Sequence, residues 1–164
     1  MRSLIALTLA VALAGCDRGT DVDFGGEAMG PDLHAIVSED GAVKMGLTRE
    51  FVYFALSDSA RAQAQAELDE DAEQSFLGGI MRGLVGKALD FRAKYAVSTI
   101  RDIRWEDGRM QVVFNDPDRR LDEGLEIGDG QPVTEAFTED AVLSFAEAFR
   151  AVKGESAPES DPAG

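Results

Sequence analysis

Short apolar runs set off by turn residues occupy the first part of the chain, and longer runs with helical spacing follow. Segments 33–38 and 42–47 flank Asp40-Gly41, and Phe51-Val52-Tyr53-Phe54-Ala55-Leu56, rich in strand formers, comes close behind. A clearer hairpin surrounds Asp107-Gly108, because both residue types tolerate the positive φ that a two-residue turn needs. The implied register opposes Trp105 to Met110, Ile103 to Val112, Glu106 to Arg109 and Arg104 to Gln111. Opposed residues share a face. Four apolar side chains therefore lie on one side, and a Glu106–Arg109 salt bridge with a polar pair lies on the other.

Three helices are predicted. The first covers 58–68, with Ala60, Ala64 and Leu68 along one stripe. The second begins near Ala72, with Asp71 as cap and Gln74 as its capping-box partner. Its apolar face is Phe76, Leu77, Ile80, Met81, Leu84, Val85, Ala88 and Leu89. Glu67, Asp69, Glu70, Asp71 and Glu73 gather at its start, and Lys87, Arg92 and Lys94 lie towards its end. Both placements suit the helix dipole, so a break is expected near residue 70. The third helix, 139–152, has Thr138 as cap and Val142, Phe145, Ala146, Phe149 and Val152 on one side. Arg150 and Lys153 close it, and Gly154 is its expected stop. A short strand is expected at 125–127, before Gly128-Asp129-Gly130. Strands, helices, strands and a helix in that order predict an α+β fold: a small antiparallel sheet built from hairpins, with about three helices on one face.

The N-terminus follows a different pattern. Met1-Arg2-Ser3 precedes an uncharged run from Leu4 to Ala14, then Gly15 and Cys16. A positive start, a short apolar core and small residues at its end form an export signal. As a helix the run would span about 16 Å at about 1.5 Å per residue, too short for a bilayer core of about 30 Å. The residues Leu13-Ala14-Gly15-Cys16 closely resemble the lipobox of bacterial lipoproteins. That resemblance covers residues 1–16 only. It implies cleavage between Gly15 and Cys16, a diacylglycerol on the Cys16 sulfur and often a further acyl chain on the new amino group. Two or three chains hold a protein durably, whereas a single myristoyl chain binds only marginally. The implied location is a cell membrane, with the protein lipid-anchored and facing the periplasm. Asp17 resembles the inner-membrane retention mark of enterobacterial lipoproteins, and the choice between inner and outer membrane stays open.

Segment 16–32 carries the lipidated cysteine and then four glycines, a proline and four aspartates, which predict a flexible tether. Its typical reach is about 20–25 Å. A single domain is expected over 33–153. The tail 154–164, with two prolines and no large apolar side chain, is expected to be disordered.

Composition narrows the chemistry. Cys16 is the only cysteine, so no intramolecular disulfide, thiol catalysis or cysteine metal site is available. The net charge is −15, and loss of Arg2 with the signal makes the mature protein more acidic still. Nucleic acid and anionic lipid surfaces are disfavoured as partners, which leaves the lipid on Cys16 as the membrane contact.

Motifs for specific chemistry fail on inspection. Gly83-Leu84-Val85-Gly86-Lys87-Ala88 lacks a phosphate loop's first glycine, with Met81 in its place, and its hydroxyl residue, with Ala88 in its place. His34 is the only histidine and no Gly-x-Ser-x-Gly elbow accompanies it, so it reads as structural. Asp116-Pro117-Asp118 starts like a calcium loop, but Arg120 and Leu121 stand where a ligand and a glycine belong. Asp21-Val22-Asp23-Phe24-Gly25-Gly26 fits somewhat better but has no flanking helices. No catalytic residue, cofactor or metal is assigned.

The functional expectation is a non-enzymatic envelope module that binds a protein partner. The alternative is a carrier or sensor of a small apolar ligand such as a lipid. Gly79, Gly83 and Gly86 of the second helix, with Trp105 of the hairpin, are the candidate ligand or partner surface. Close packing against the sheet explains the same glycines more simply. An enzyme working with carboxylates alone is a third class, and it would need two acids facing each other across a cleft.

Overall fold

The computed structural model describes residues 21–24, 29–72, 91–121, 126–127 and 131–155. Five strands make one antiparallel sheet: β1 (Asp21–Phe24), β2 (His34–Val37), β3 (Val43–Leu47), β4 (Phe51–Leu56) and β5 (Phe91–Ala96). Their spatial order is β1-β5-β4-β3-β2. Helix α1 (Asp58–Ala72) follows β4. Strands β6 (Ile100–Glu106) and β7 (Arg109–Phe114) form a separate hairpin, and β8 (Glu126–Ile127) pairs briefly with β9 (Gln131–Pro132). Helix α2 (Glu139–Glu155) closes the described chain. The fold is α+β, with two helices among the described residues rather than about three.

Alternation decides which face of the sheet is buried. Ile36, Met45, Leu47, Val52, Phe54, Ala93 and Tyr95 occupy the inner face and belong to one core cluster. Val142, Phe145, Ala146, Phe149 and Val152 of α2 fill that core from the helix side, and Ile103 and Met110 of the hairpin enter it as well. Burying each of these larger side chains contributes about 1.5–3 kcal/mol. Thr138 begins α2, its hydroxyl oxygen accepting the Ala141 N–H at 3.4 Å. The basic end of α2 is tied to β6: the Arg150 guanidinium donates to Asp102 and to the Ile103 carbonyl at 3.1 Å. The Lys153 ammonium donates to the Ile100 and Arg101 carbonyls. Nearer its start, α2 meets β2, where Ser144 Oγ lies 3.3 Å from His34 Nε2 and the Phe145 ring lies 5.8 Å from the imidazole. One helix thus braces the edge of the sheet against the hairpin.

The hairpin has the register that its turn implies, with Trp105 opposite Met110 and Ile103 opposite Val112. Asp107 and Gly108 take φ of 54° and 75°. On the polar face Glu106 bridges to Arg104 at 2.8 Å along its own strand, not across the hairpin to Arg109. Residues two apart on a strand point the same way, so Arg104 competes with Arg109 for this carboxylate.

Other expectations change. Helix α1 runs unbroken to Ala72, through the acids at 67–71. No glycine or proline interrupts it, and the few tenths of a kcal/mol lost to each misplaced acid do not end a helix rich in alanine and glutamine. Arg92 and Lys94 stand in strand β5, on the face opposite Ala93 and Tyr95, which belong to the core. Segment 16–32 is not a tether throughout, because β1 pairs with β5 through Asp21 to Phe24. Helix α2 also continues through Gly154, the expected stop. The second helix, from residue 73, and the tail from 156 lie outside the described residues.

Candidate functional site

Most residues singled out from the sequence lie outside the described structure. That holds for Gly15 and Cys16, where cleavage and lipidation are expected, and for Gly79, Gly83 and Gly86. Trp105 is described: it is half-buried on β6 and packs against the core cluster opposite Met110. His34, read as structural, is engaged by Ser144 and Phe145 of α2. Asp116 accepts the Asp118 N–H at 3.0 Å, so its carboxylate closes a local turn. Asp21 and Asp23 stand in β1, a strand and not a loop. Among the described residues no group of three or more His, Cys, Asp or Glu could hold a metal. None of the described helices is long and apolar enough to cross a membrane.

The outer face of the sheet carries a polar strap. Tyr53 leans across Gly46 of β3, where an added Cβ would sit 2.2 Å from the ring. The Tyr53 hydroxyl donates to Asp32 Oδ1 at 2.7 Å, and Lys44 Nζ donates to Asp32 Oδ2 at 2.7 Å. The bond to Asp32 raises the Lys44 pKa above its ordinary value. Burial, reinforced by the bond to the carboxylate, raises that of Tyr53. Asp32 satisfies both partners, so the cluster works as a clasp. It fixes the chain two residues before β2 begins.

Among the described residues strand β2 is the edge of the sheet, and no described strand pairs with its outer side. The Ser38 N–H donates to the Val43 carbonyl at 2.8 Å. Hydrogen-bonded positions alternate in an antiparallel ladder, so His34, Ile36 and Ser38 turn their amides to β3. Ala35 and Val37 turn theirs outward. The next outward amide, Glu39 N–H, already donates to the Ala136 carbonyl at 2.9 Å, so this edge accepts a main-chain neighbour at one end. Along the open stretch the side chains are apolar as well: Ala35 is exposed, and Leu33 and Val37 are each 47 % exposed. Comparison with family models, with curated proteins and with solved structures finds no match. The geometry of this edge therefore carries the functional argument.

The sequence reading missed β2 as a site. Apolar residues on both faces of a strand ordinarily signal a central strand, and nothing local marks a strand as the last in its sheet.

Proposed function

We propose that the chain is a lipoprotein anchored in the bacterial envelope through lipid on Cys16, and that its domain is a non-enzymatic module that binds a protein partner. The observation that carries the partner-binding reading is the open edge of β2, with two outward backbone amides beside exposed Leu33, Ala35 and Val37. Natural proteins blunt such edges with charge, proline or a covering element, and main-chain pairing with a second protein is a recurrent use of an edge left open. The Leu13-Ala14-Gly15-Cys16 pattern supports the anchor. The apolar-ligand alternative rests on Gly79, Gly83 and Gly86, which lie outside the described residues, and on Trp105.

The reading is tested by placing a photo-crosslinking amino acid at Val37 of the full chain in cells. The expected result is an adduct of defined mass that disappears in the Cys16→Ser variant. Absence of any adduct beyond that control would overturn it.

A further inference from the structure

Resting on the lipid anchor proposed above, we infer that the pairing of β1 with β5 makes the connection between lipid and domain a short leash, so that the domain works on the bilayer surface and meets its partner there. Asp21 opens β1, and the ladder sets Asp21, Val22, Asp23 and Phe24 opposite Lys94, Ala93, Arg92 and Phe91. The sheet therefore takes hold of the chain soon after Cys16, with only Asp17-Arg18-Gly19-Thr20 between.

From Cys16 to Asp21 the chain spans at most about 18 Å, at about 3.3–3.6 Å per residue. A connection free as far as Asp32 would span up to about 55 Å. A domain of this size has a radius of gyration of about 14 Å, which for a sphere means about 35 Å across. The short leash is about half that width, and the free one well exceeds it. With the lipid in the bilayer, the near side of the domain stays within about 18 Å of Cys16 and its far side within about 50 Å. The register that sets this length places aspartates opposite Lys94 and Arg92, and opposite charges across a ladder favour such a pairing. A net charge of −15 gives no general attraction to an anionic surface, so leash length and not adhesion sets the height. A partner has to present its binding segment within that layer.

Ser98 is exposed just beyond β5 and takes the label. With Cys16 carrying lipid, a Ser98→Cys variant has a single free thiol. The full chain, expressed and processed in cells and purified in neutral detergent, is labelled there with a donor dye. It is then reconstituted in phosphatidylcholine vesicles that carry an acceptor dye on the headgroup. Two further proteins bear the same label. One has a long Gly/Ser insertion after Thr20, which lengthens the leash and leaves β1 intact. The other has Val22→Gly with Phe24→Gly, which weakens β1 as a strand and leaves the leash unchanged. Emission of Trp105 and the melting temperature, which the insertion should not alter, report that the domain stays folded. Efficient transfer in the labelled parent, and its loss in both comparisons, is the expected result. Transfer no greater in the parent than in the insertion protein would overturn the inference. So would transfer that survives Val22→Gly with Phe24→Gly unchanged. Mass spectrometry of the same samples separates the two claims. Equal transfer with a diacylglycerol on Cys16 refutes the leash alone, whereas a Cys16 without lipid refutes the anchor and the leash with it.

Discussion

The two edges of the five-stranded sheet are built on opposite principles. At one edge, β1 places Asp21 and Asp23 in register with Lys94 and Arg92 of β5. At the other, β2 shows solvent Leu33, Ala35 and Val37. Charged residues on an edge strand discourage pairing with foreign strands, and β1 has them at alternate positions. On β2 the same protection is missing in a protein whose surface is otherwise strongly acidic. Charge at one edge and its omission at the other, within one sheet, is what supports the proposal that β2 meets a partner.

That contrast requires the domain to be held by its inner face, independently of the β2 edge. The largest expected effect is accordingly in the core. Phe149→Ala should cost about 3–5 kcal/mol, as deletions of buried aromatic side chains do, because Phe149 is fully buried where α2 meets the core. Denaturant unfolding measures it, and a loss under 1 kcal/mol would mean that α2 does not hold the sheet.

Gly46→Ala comes next. The new methyl would meet the Tyr53 ring, so the ring must leave and break the Asp32 clasp. Overpacking of this kind costs about 1–3 kcal/mol. The same substitution in a Tyr53→Ala background should cost much less, and equal costs in both backgrounds would refute the contact.

A smaller effect is expected from pH. Lys44 and Tyr53 both have pKa values raised in the folded state. A raised pKa contributes stability that is complete below the unfolded value and is lost as pH climbs through the folded one. The unfolded references are 10.5 for Lys44 and 10.0 for Tyr53. Thermal stability should therefore be insensitive to this clasp at neutral pH and should decline above about pH 10. Asp32→Asn should flatten the decline, and an unchanged alkaline slope in that variant would remove the clasp from the explanation.

The smallest effect on stability belongs to the proposed interface. Val37→Lys should shift unfolding by no more than about 0.5 kcal/mol, as exposed substitutions do. A large loss of stability would mean that Val37 serves the fold and not a partner.

Parts of this architecture were legible in the sequence because several local signals agreed. Asp107-Gly108 fixed a turn, the turn fixed a register, and the register put Ile103 and Met110 on the buried face. Thr138, the five apolar residues of α2 and its basic end likewise point to one helix. Where one signal was weighed alone the reading erred. The cations Arg92 and Lys94 suggested a helix end, although Phe91, Ala93 and Tyr95 alternate with them at strand period. The glycines and aspartates of 17–32 suggested a tether, although Asp-Val-Asp-Phe also alternates and finds β5 to pair with. The β2 edge was not legible for a further reason. A sequence encodes that a segment is a strand far more directly than it encodes which strand will lack a neighbour.

Amide hydrogen exchange along residues 34–38 of the protein tests the open edge most directly. Ala35 and Val37 should exchange rapidly and Ile36 and Ser38 slowly in the free protein. Protection of Ala35 and Val37 equal to that of Ile36 and Ser38 would contradict an edge open to another chain.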